Sequence, residues 1–182
     1  MLTICPTPIG NLEDLTLRVI RTLESADLIA CEDTRTTIKL LNHLQIKKKM
    51  MSYHEHNEQS ATQAIIERLR AGEQVALVSD AGMPGISDPG EVLIKACIAE
   101  GLPYTVLPGP SAAITALVAS QLPTQPFYFE GFLDRSKRKK RLTALATLPC
   151  TLIFYESPHR IVKLMEEMLA VFGNRQVTLG RE

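Results

Sequence analysis

Five segments of this chain carry residue types suited to chemistry, and each follows a short apolar run. The first is Pro6-Thr7-Pro8-Ile9-Gly10-Asn11. It stands where a nucleotide-binding turn would stand, but GxGxxG and GxxxxGK are both absent, which argues against an ordinary NAD or ATP site. The second, Cys31-Glu32-Asp33-Thr34-Arg35, puts two carboxylates and a guanidinium at a strand end, where Asp33 would also serve as a helix cap. The third runs from Ser79 to Gly90 (SDAGMPGISDPG), twelve residues with three glycines, two prolines and two aspartates. A plain connection is about 4–6 residues. A longer Gly-rich loop presents backbone N–H groups and lets a ligand approach closely. The fourth, Pro108-Gly109-Pro110-Ser111-Ala112, reads equally as a rigid turn or a ligand contact. The fifth is Tyr155-Glu156-Ser157-Pro158-His159-Arg160. Capping explains Ser157-Pro158 but not the adjacent carboxylate, imidazole and guanidinium. His54 and His56 alternate along an extended stretch, but no third ligand cluster and no HExxH accompany them, so a polar loop is expected there and no metal.

Elements of alternating type must position these loops. Apolar runs predict strands over 2–5, 28–31, 50–53, 74–79, 104–107, 127–131, 151–155 and 176–179. Helical periodicity predicts helices over 12–26, 36–44, 91–100, 111–120 and 136–145. A further helix is expected from a Ser60/Gln63 capping box to Gly72, and another from Pro158, capped by Ser157, to Gly173. The alternation predicts an α/β fold with a mostly parallel sheet. Two α/β domains are expected, over 1–110 and 111–182. A strand ending at residue 179 would leave an open edge, so the second domain is expected to be incomplete as given, the alternative being a natural edge strand.

Composition excludes several classes. The 182 residues are 45% hydrophobic and 22% charged, which is globular rather than disordered. No apolar run approaches the roughly 20 residues of a spanning helix, and the start lacks the pattern of a secretory signal. Cys5, Cys31, Cys97 and Cys150 lie in apolar runs without CxxC spacing. They read as small buried hydrophobes, and reduced thiols fit a cytoplasmic protein. The zero net charge hides an asymmetry. Residues 1–100 hold 10 basic and 14 acidic groups, and residues 101–182 hold 10 basic and 6 acidic. Six of the eight residues over 134–141 are basic: Arg135, Lys137, Arg138, Lys139, Lys140 and Arg141. Such a split points to an anionic partner for one half.

PTPIGNLEDLTLR, ACEDTR, SYHEHNE, VALVSDAGMPGISDPG, VLPGPSA, FEGFL and FYESPHR follow one another in the order and spacing of a known family. Across 2–182 the chain resembles the ribosomal RNA small-subunit methyltransferase I family, within the tetrapyrrole methylase superfamily. It departs at Met83, where the family usually has Thr, and at Asp134, where it usually has Pro. The resemblance implies two α/β domains with S-adenosylmethionine in the cleft between them, a homodimer, and 2′-O-methylation of a cytidine in the decoding region of small-subunit ribosomal RNA. The substrate would be that RNA or the assembled small subunit. By the same resemblance Gly82-Met83-Pro84 falls on the cofactor loop. The cofactor contacts are therefore expected at Pro8, Asp80, Gly82, Met83, Ile86, Ser111, Ala112 and Tyr155. The basic run would hold RNA phosphate, with Arg160 and Arg35 on flanking phosphates. Asp33, Arg35, Glu156 and His159 would form the reacting group, a carboxylate or His159 taking the 2′-hydroxyl proton.

Two other functions fit parts of the pattern. A tetrapyrrole-precursor (precorrin-type) methylase would share fold and cofactor, but the loop over 79–90 and the basic run speak against it. A non-enzymatic RNA-binding module would need the basic run and would leave that loop without a purpose.

Overall fold

The computed structural model describes residues 1–181 and divides into two compact units, Met1–Ala112 and Ala113–Glu182. In the first unit five strands, β1 (Leu2–Ile4), β2 (Leu28–Cys31), β3 (Met50–Ser52), β4 (Val75–Val78) and β5 (Tyr104–Val106), form one sheet. All pairings are parallel and the order is β3-β2-β4-β1-β5. Four helices connect them: α1 (Leu17–Ser25), α2 (Thr34–His43), α3 (Glu58–Arg70) and α4 (Glu91–Ala99).

Side chains alternate across the sheet with period two. Leu2, Ile4, Leu28, Ala30, Val75 and Leu77 pack with Ile65, Leu69, Leu93 and Cys97 of α3 and α4. Ile29, Cys31, Ala76 and Val78 pack with Val19, Leu23 and Leu41 of α1 and α2 on the other face. The chain therefore leaves β1 for one face and β4 for the other, although the two strands are neighbours. Such a reversal opens a crevice at the carboxyl ends, where ligands of open α/β sheets bind.

The second unit holds α5 (Ala112–Ala119), β6 (Phe127–Phe132), α6 (Arg138–Leu145), β7 (Thr151–Tyr155) and α7 (Ile161–Phe172). β6 and β7 form a two-stranded parallel sheet, and Leu133, Leu142, Leu164 and Met168 are its small core. No helix among the described residues is long and apolar enough to cross a membrane.

Four expectations of local structure are corrected. The helix foreseen over 12–26 is broken: a 3-10 turn, Leu12–Asp14, is followed by extended Leu15, and Thr16 Oγ1 accepts the Val19 N–H at 3.1 Å to start α1. Ser60 is not a cap. α3 begins at Glu58, and the Ser60 hydroxyl donates back to the Asn57 carbonyl. α7 begins at Ile161, not Pro158, because the Arg160 N–H closes a separate turn on the Ser157 carbonyl. Residues 176–179 form no strand; the Thr178 hydroxyl instead bonds the Ser120 carbonyl at 3.0 Å.

Candidate functional site

The loops leaving β1 and β4 are tied together across the crevice. Thr7 N–H donates to the Gly82 carbonyl at 2.9 Å, and Gly82 N–H returns a bond to the Thr7 carbonyl at 3.0 Å. Thr7 Oγ1 donates to the Ser79 carbonyl at 3.1 Å. Gly82 holds φ +81°, a conformation that a residue with a Cβ resists, and its Cβ would face Ile9. Its amide is thus engaged in fastening the two loops and is not free for a ligand.

Beyond this clamp, the N–H groups of Met83, Gly85 and Ile86 bond to no group among the described residues. Ile86 is exposed and Met83 half-buried. These backbone donors fit the carboxylate or hydroxyls of a small polar ligand, and the side chain of Met83 is immaterial to that contact. A pocket of about 180 Å³ lies beside the clamp, lined by Thr7, Pro8, Leu12, Thr36, Thr37, Lys39, Leu40, Ser79 and Asp80. β5 completes the edge: it pairs with β1, and Gly109 after it touches Pro6 after β1. The loops richest in glycine and proline therefore leave three adjacent strands, β4, β1 and β5.

Carboxylates crowd the ends of β2 and β4. The Asp33 N–H donates to Asp80 Oδ1 at 3.2 Å, and the Asp80 N–H to Glu32 Oε2 at 3.4 Å. Burial, reinforced by neighbouring carboxylates, pushes Glu32, Asp80 and Asp88 above the usual range. Asp33 goes the other way. Hydrogen bonds from the Arg35 side chain and N–H hold it at about 2. The Arg35 guanidinium lies 2.6 Å from Asp33 Oδ2, and Oδ1 accepts the Arg35 N–H at 2.8 Å, capping α2. A carboxylate held so low is a weak base at neutral pH. Proton acceptance by Asp33 is therefore corrected to capping and holding Arg35, whose own side chain is 88% exposed.

In the second unit Glu156 is almost fully buried, with 3% of its side chain exposed. It accepts from Arg160 Nε at 2.6 Å, the Ser157 N–H at 2.8 Å and an Arg138 guanidinium nitrogen at 3.2 Å. Burial raises the carboxyl, but these three groups together hold it below the usual range. Glu156 as a proton acceptor is corrected as well: it is the internal counter-ion of two arginines. His159 is exposed in the turn before α7. Tyr155 accepts the Ala113 N–H at 3.1 Å and stands edge-on to Phe129 and Phe132. Ser111 is half-buried and Ala112 exposed, at the start of α5.

The basic run divides by burial. Arg138 is only 6% exposed and lies between Glu156 and Glu167, so it cannot contact phosphate; this expectation is overturned by its burial. Arg141 is exposed but bound by Glu130 at 2.6 Å and by the Tyr128 hydroxyl at 2.7 Å. Arg160 is held by Glu156. Lys137, Lys139 and Lys140 remain on the surface around an open dish of about 650 Å³ that also includes Ser136 and Thr143. Arg135 is exposed beside it.

A sequence profile of the tetrapyrrole (corrin/porphyrin) methylases matches residues 1–182. The chain belongs to the tetrapyrrole methylase family. Within that family it is 54% identical over 178 residues to the "Ribosomal RNA small subunit methyltransferase I" of Halalkalibacterium halodurans, covering 97% of this chain and 62% of that protein. A protein of the same name from Bacillus subtilis is 50% identical over 184 residues, covering all of this chain and 63% of its own length. The chain thus spans a little over three fifths of these relatives. The uroporphyrin-III C-methyltransferase of Thermus thermophilus, solved in complex with S-adenosylhomocysteine, superposes with a TM-score of 0.65 at 22% identity, covering 96% of this chain and 77% of that one. That likeness establishes the methylase fold.

Three residues that fasten these loops escape a reading of the sequence. Thr7 lies in the loop after β1, but its pairing with Gly82 joins residues 75 positions apart and leaves no local signal. Ser79 reads as the end of β4; its hydroxyl in fact bonds the Gly82 carbonyl at 3.3 Å. Glu58 falls in a polar loop if α3 is expected to begin at Ser60. Its acidic type at a helix start is the available clue.

Proposed function

We propose that this protein uses S-adenosylmethionine to methylate the 2′-oxygen of a cytidine in the decoding region of small-subunit ribosomal RNA. One observation carries the reading: about half of all residues, across essentially the whole chain, are shared with relatives named ribosomal RNA small subunit methyltransferase I.

The site is compatible with it. S-adenosylmethionine supplies an activated methyl group on sulfur. The free N–H groups of Met83, Gly85 and Ile86 would hold its polar end, and Pro8, Asp80, Ser111, Ala112 and Tyr155 are assigned to it as further contacts. Lys137, Lys139 and Lys140, with Arg135, would hold RNA phosphate as point charges. Of Asp33, Arg35, Glu156 and His159, only His159 is both exposed and outside the Asp33–Arg35 and Glu156–Arg160 ion pairs. Positioning two reactants in line supplies much of the rate in such a transfer, so a strong base is not required. A homodimer in the cytoplasm is the assembly and location that accompany this reading.

The test maps the methylated nucleotide. Small-subunit RNA from a strain lacking the gene, incubated with the full-length protein and S-adenosylmethionine, should gain one 2′-O-methyl cytidine in the decoding region. Methyl transfer to a tetrapyrrole precursor but not to this RNA would replace the reading. Absence of S-adenosylmethionine binding by calorimetry would leave only an RNA-binding role.

A further inference from the structure

The SYHEHNE segment and the loop over 79–90 meet at one carboxylate. Glu58 Oε1 accepts the Gly90 N–H at 3.1 Å and the Tyr53 hydroxyl at 3.1 Å. Tyr53, 1% exposed, also shares a hydrogen bond with Thr62 Oγ1 at 3.1 Å. Gly90 closes the loop just before α4, and its backbone is pressed against its surroundings. A Cβ there would lie 3.2 Å from both the Gly85 nitrogen and Leu77 Cδ2. The other end of the loop is fastened by the reciprocal Thr7–Gly82 bonds. Between the two fastenings lie residues 83–89, with the open amides of Met83, Gly85 and Ile86.

We propose that Glu58 is a positioning residue whose carboxylate latches the carboxyl end of this loop to the Tyr53–Thr62 pair, presenting the loop amides to the cofactor. The proposal rests on the reading of the loop as the S-adenosylmethionine site. Twelve residues of glycine-rich backbone have many conformations to lose, and a loop fixed at one end only would lose them on binding. One oxygen that accepts both the Gly90 N–H and the Tyr53 hydroxyl fixes the end of the loop through its reach, which suits a single anchor.

A bland alternative exists: Glu58 is in the first turn of α3, where any acidic residue favours the helix. Substitutions separate the two. Glu58→Asp keeps the charge at the helix start but is one methylene too short to reach Gly90. Glu58→Gln keeps the reach and an acceptor oxygen but loses the charge. A latch predicts that Glu58→Asp behaves like Glu58→Ala, and that Glu58→Gln behaves like wild type. A helix-charge role predicts the reverse.

The experiment uses the full-length protein. Hydrogen exchange of amides over 83–90 is measured without cofactor, and S-adenosylmethionine affinity by calorimetry. In Glu58→Asp and Glu58→Ala, exchange over 83–90 should accelerate and affinity should fall by about tenfold. At saturating cofactor kcat and the KM for RNA should be unchanged, and Glu58→Gln should restore both loop protection and affinity. Wild-type exchange in Glu58→Asp, or faster exchange with unchanged affinity, overturns the latch. Wild-type protein that binds no S-adenosylmethionine overturns the functional reading instead, so the two failures are read on different proteins.

Discussion

A Cβ on Gly109 would lie 2.3 Å from Cγ and 2.9 Å from Cβ of Pro6, whose ring cannot swing aside. Gly109→Ala should therefore force the β1 and β5 loops apart and cost about 1–3 kcal/mol, the usual penalty of overpacking. Urea unfolding would show it, and an unchanged midpoint would mean that the loops yield freely. Glu156 supports a second prediction at this scale. Its folded pKa lies below the unfolded value, so its contribution is present above the ordinary carboxylate value of about 4.3 and is lost as pH falls through the folded value. Glu32, Asp80 and Asp88 have the opposite sign. Burial raises them, so they cost stability when ionised, and acid relieves that cost. Glu156→Gln should lower stability at neutral pH by about 1–3 kcal/mol, because Arg138 stays buried with a neutral group in place of its nearer carboxylate and keeps Glu167 at 3.4 Å. Its loss of stability in acid should be shallower than that of wild type. Unfolding midpoints across acid to neutral pH would decide, and an acid slope equal to that of wild type would refute the assignment. The sequence displays Glu156 and Arg160 four positions apart, but Arg138 lies 18 positions before Glu156 in a run of like charges that reads as one solvated face.

The same division reshapes the expectation for α6. Six basic residues in a row of eight suggest six phosphate contacts, but burial and pairing withdraw Arg138 and Arg141. Charge reversal of Lys139 and Lys140 should flatten the salt dependence of RNA binding by about 0.7–0.9 in log–log slope for each phosphate no longer neutralised. Arg141→Gln should leave that slope almost intact, because its charge is already spent on Glu130. Filter binding over a salt series measures both, and equal slopes in all three proteins would remove α6 from the RNA contact. Elements are the most legible level of this molecule. Short β-branched and aliphatic runs mark β1, β2 and β4 to within two residues, since buried parallel strands need such runs. Helix starts are less legible. Thr16 and Asn57 compete with nearby polar residues, and only three-dimensional contacts select between them. The apolar alternation over 176–179 has the residues of a strand but pairs with neither β6 nor β7.

For the whole molecule, strand order is beyond reach of the sequence. β4 inserts between β2 and β1, and that insertion creates the crevice where the Thr7 and Gly82 loops meet. The distribution of buried side chains leads to a last prediction. The first unit buries two layers of aliphatic residues, one on each face of its sheet. The second has a single buried cluster of four residues, with Ala113, Leu117 and Leu145 buried beside it, while Val118, Val162, Leu169, Val177 and Leu179 are each more than half exposed. Burial of apolar surface is the main favourable term in folding, at about 25 cal/mol per Å². In a protein made of these 182 residues, opening of 113–181 should therefore cost much less free energy than opening of 1–112. Proteolysis under native conditions reports the population of open forms when reclosing is fast. A broad-specificity protease should cut first within 113–181 and leave a resistant fragment ending near residue 112. Mass spectrometry of the early products gives the boundary, and hydrogen exchange should show the slowest amides in β1, β2 and β4. A surviving fragment from 113–181, or first cuts inside β1–β4, would show that the sparse second core is the more stable of the two.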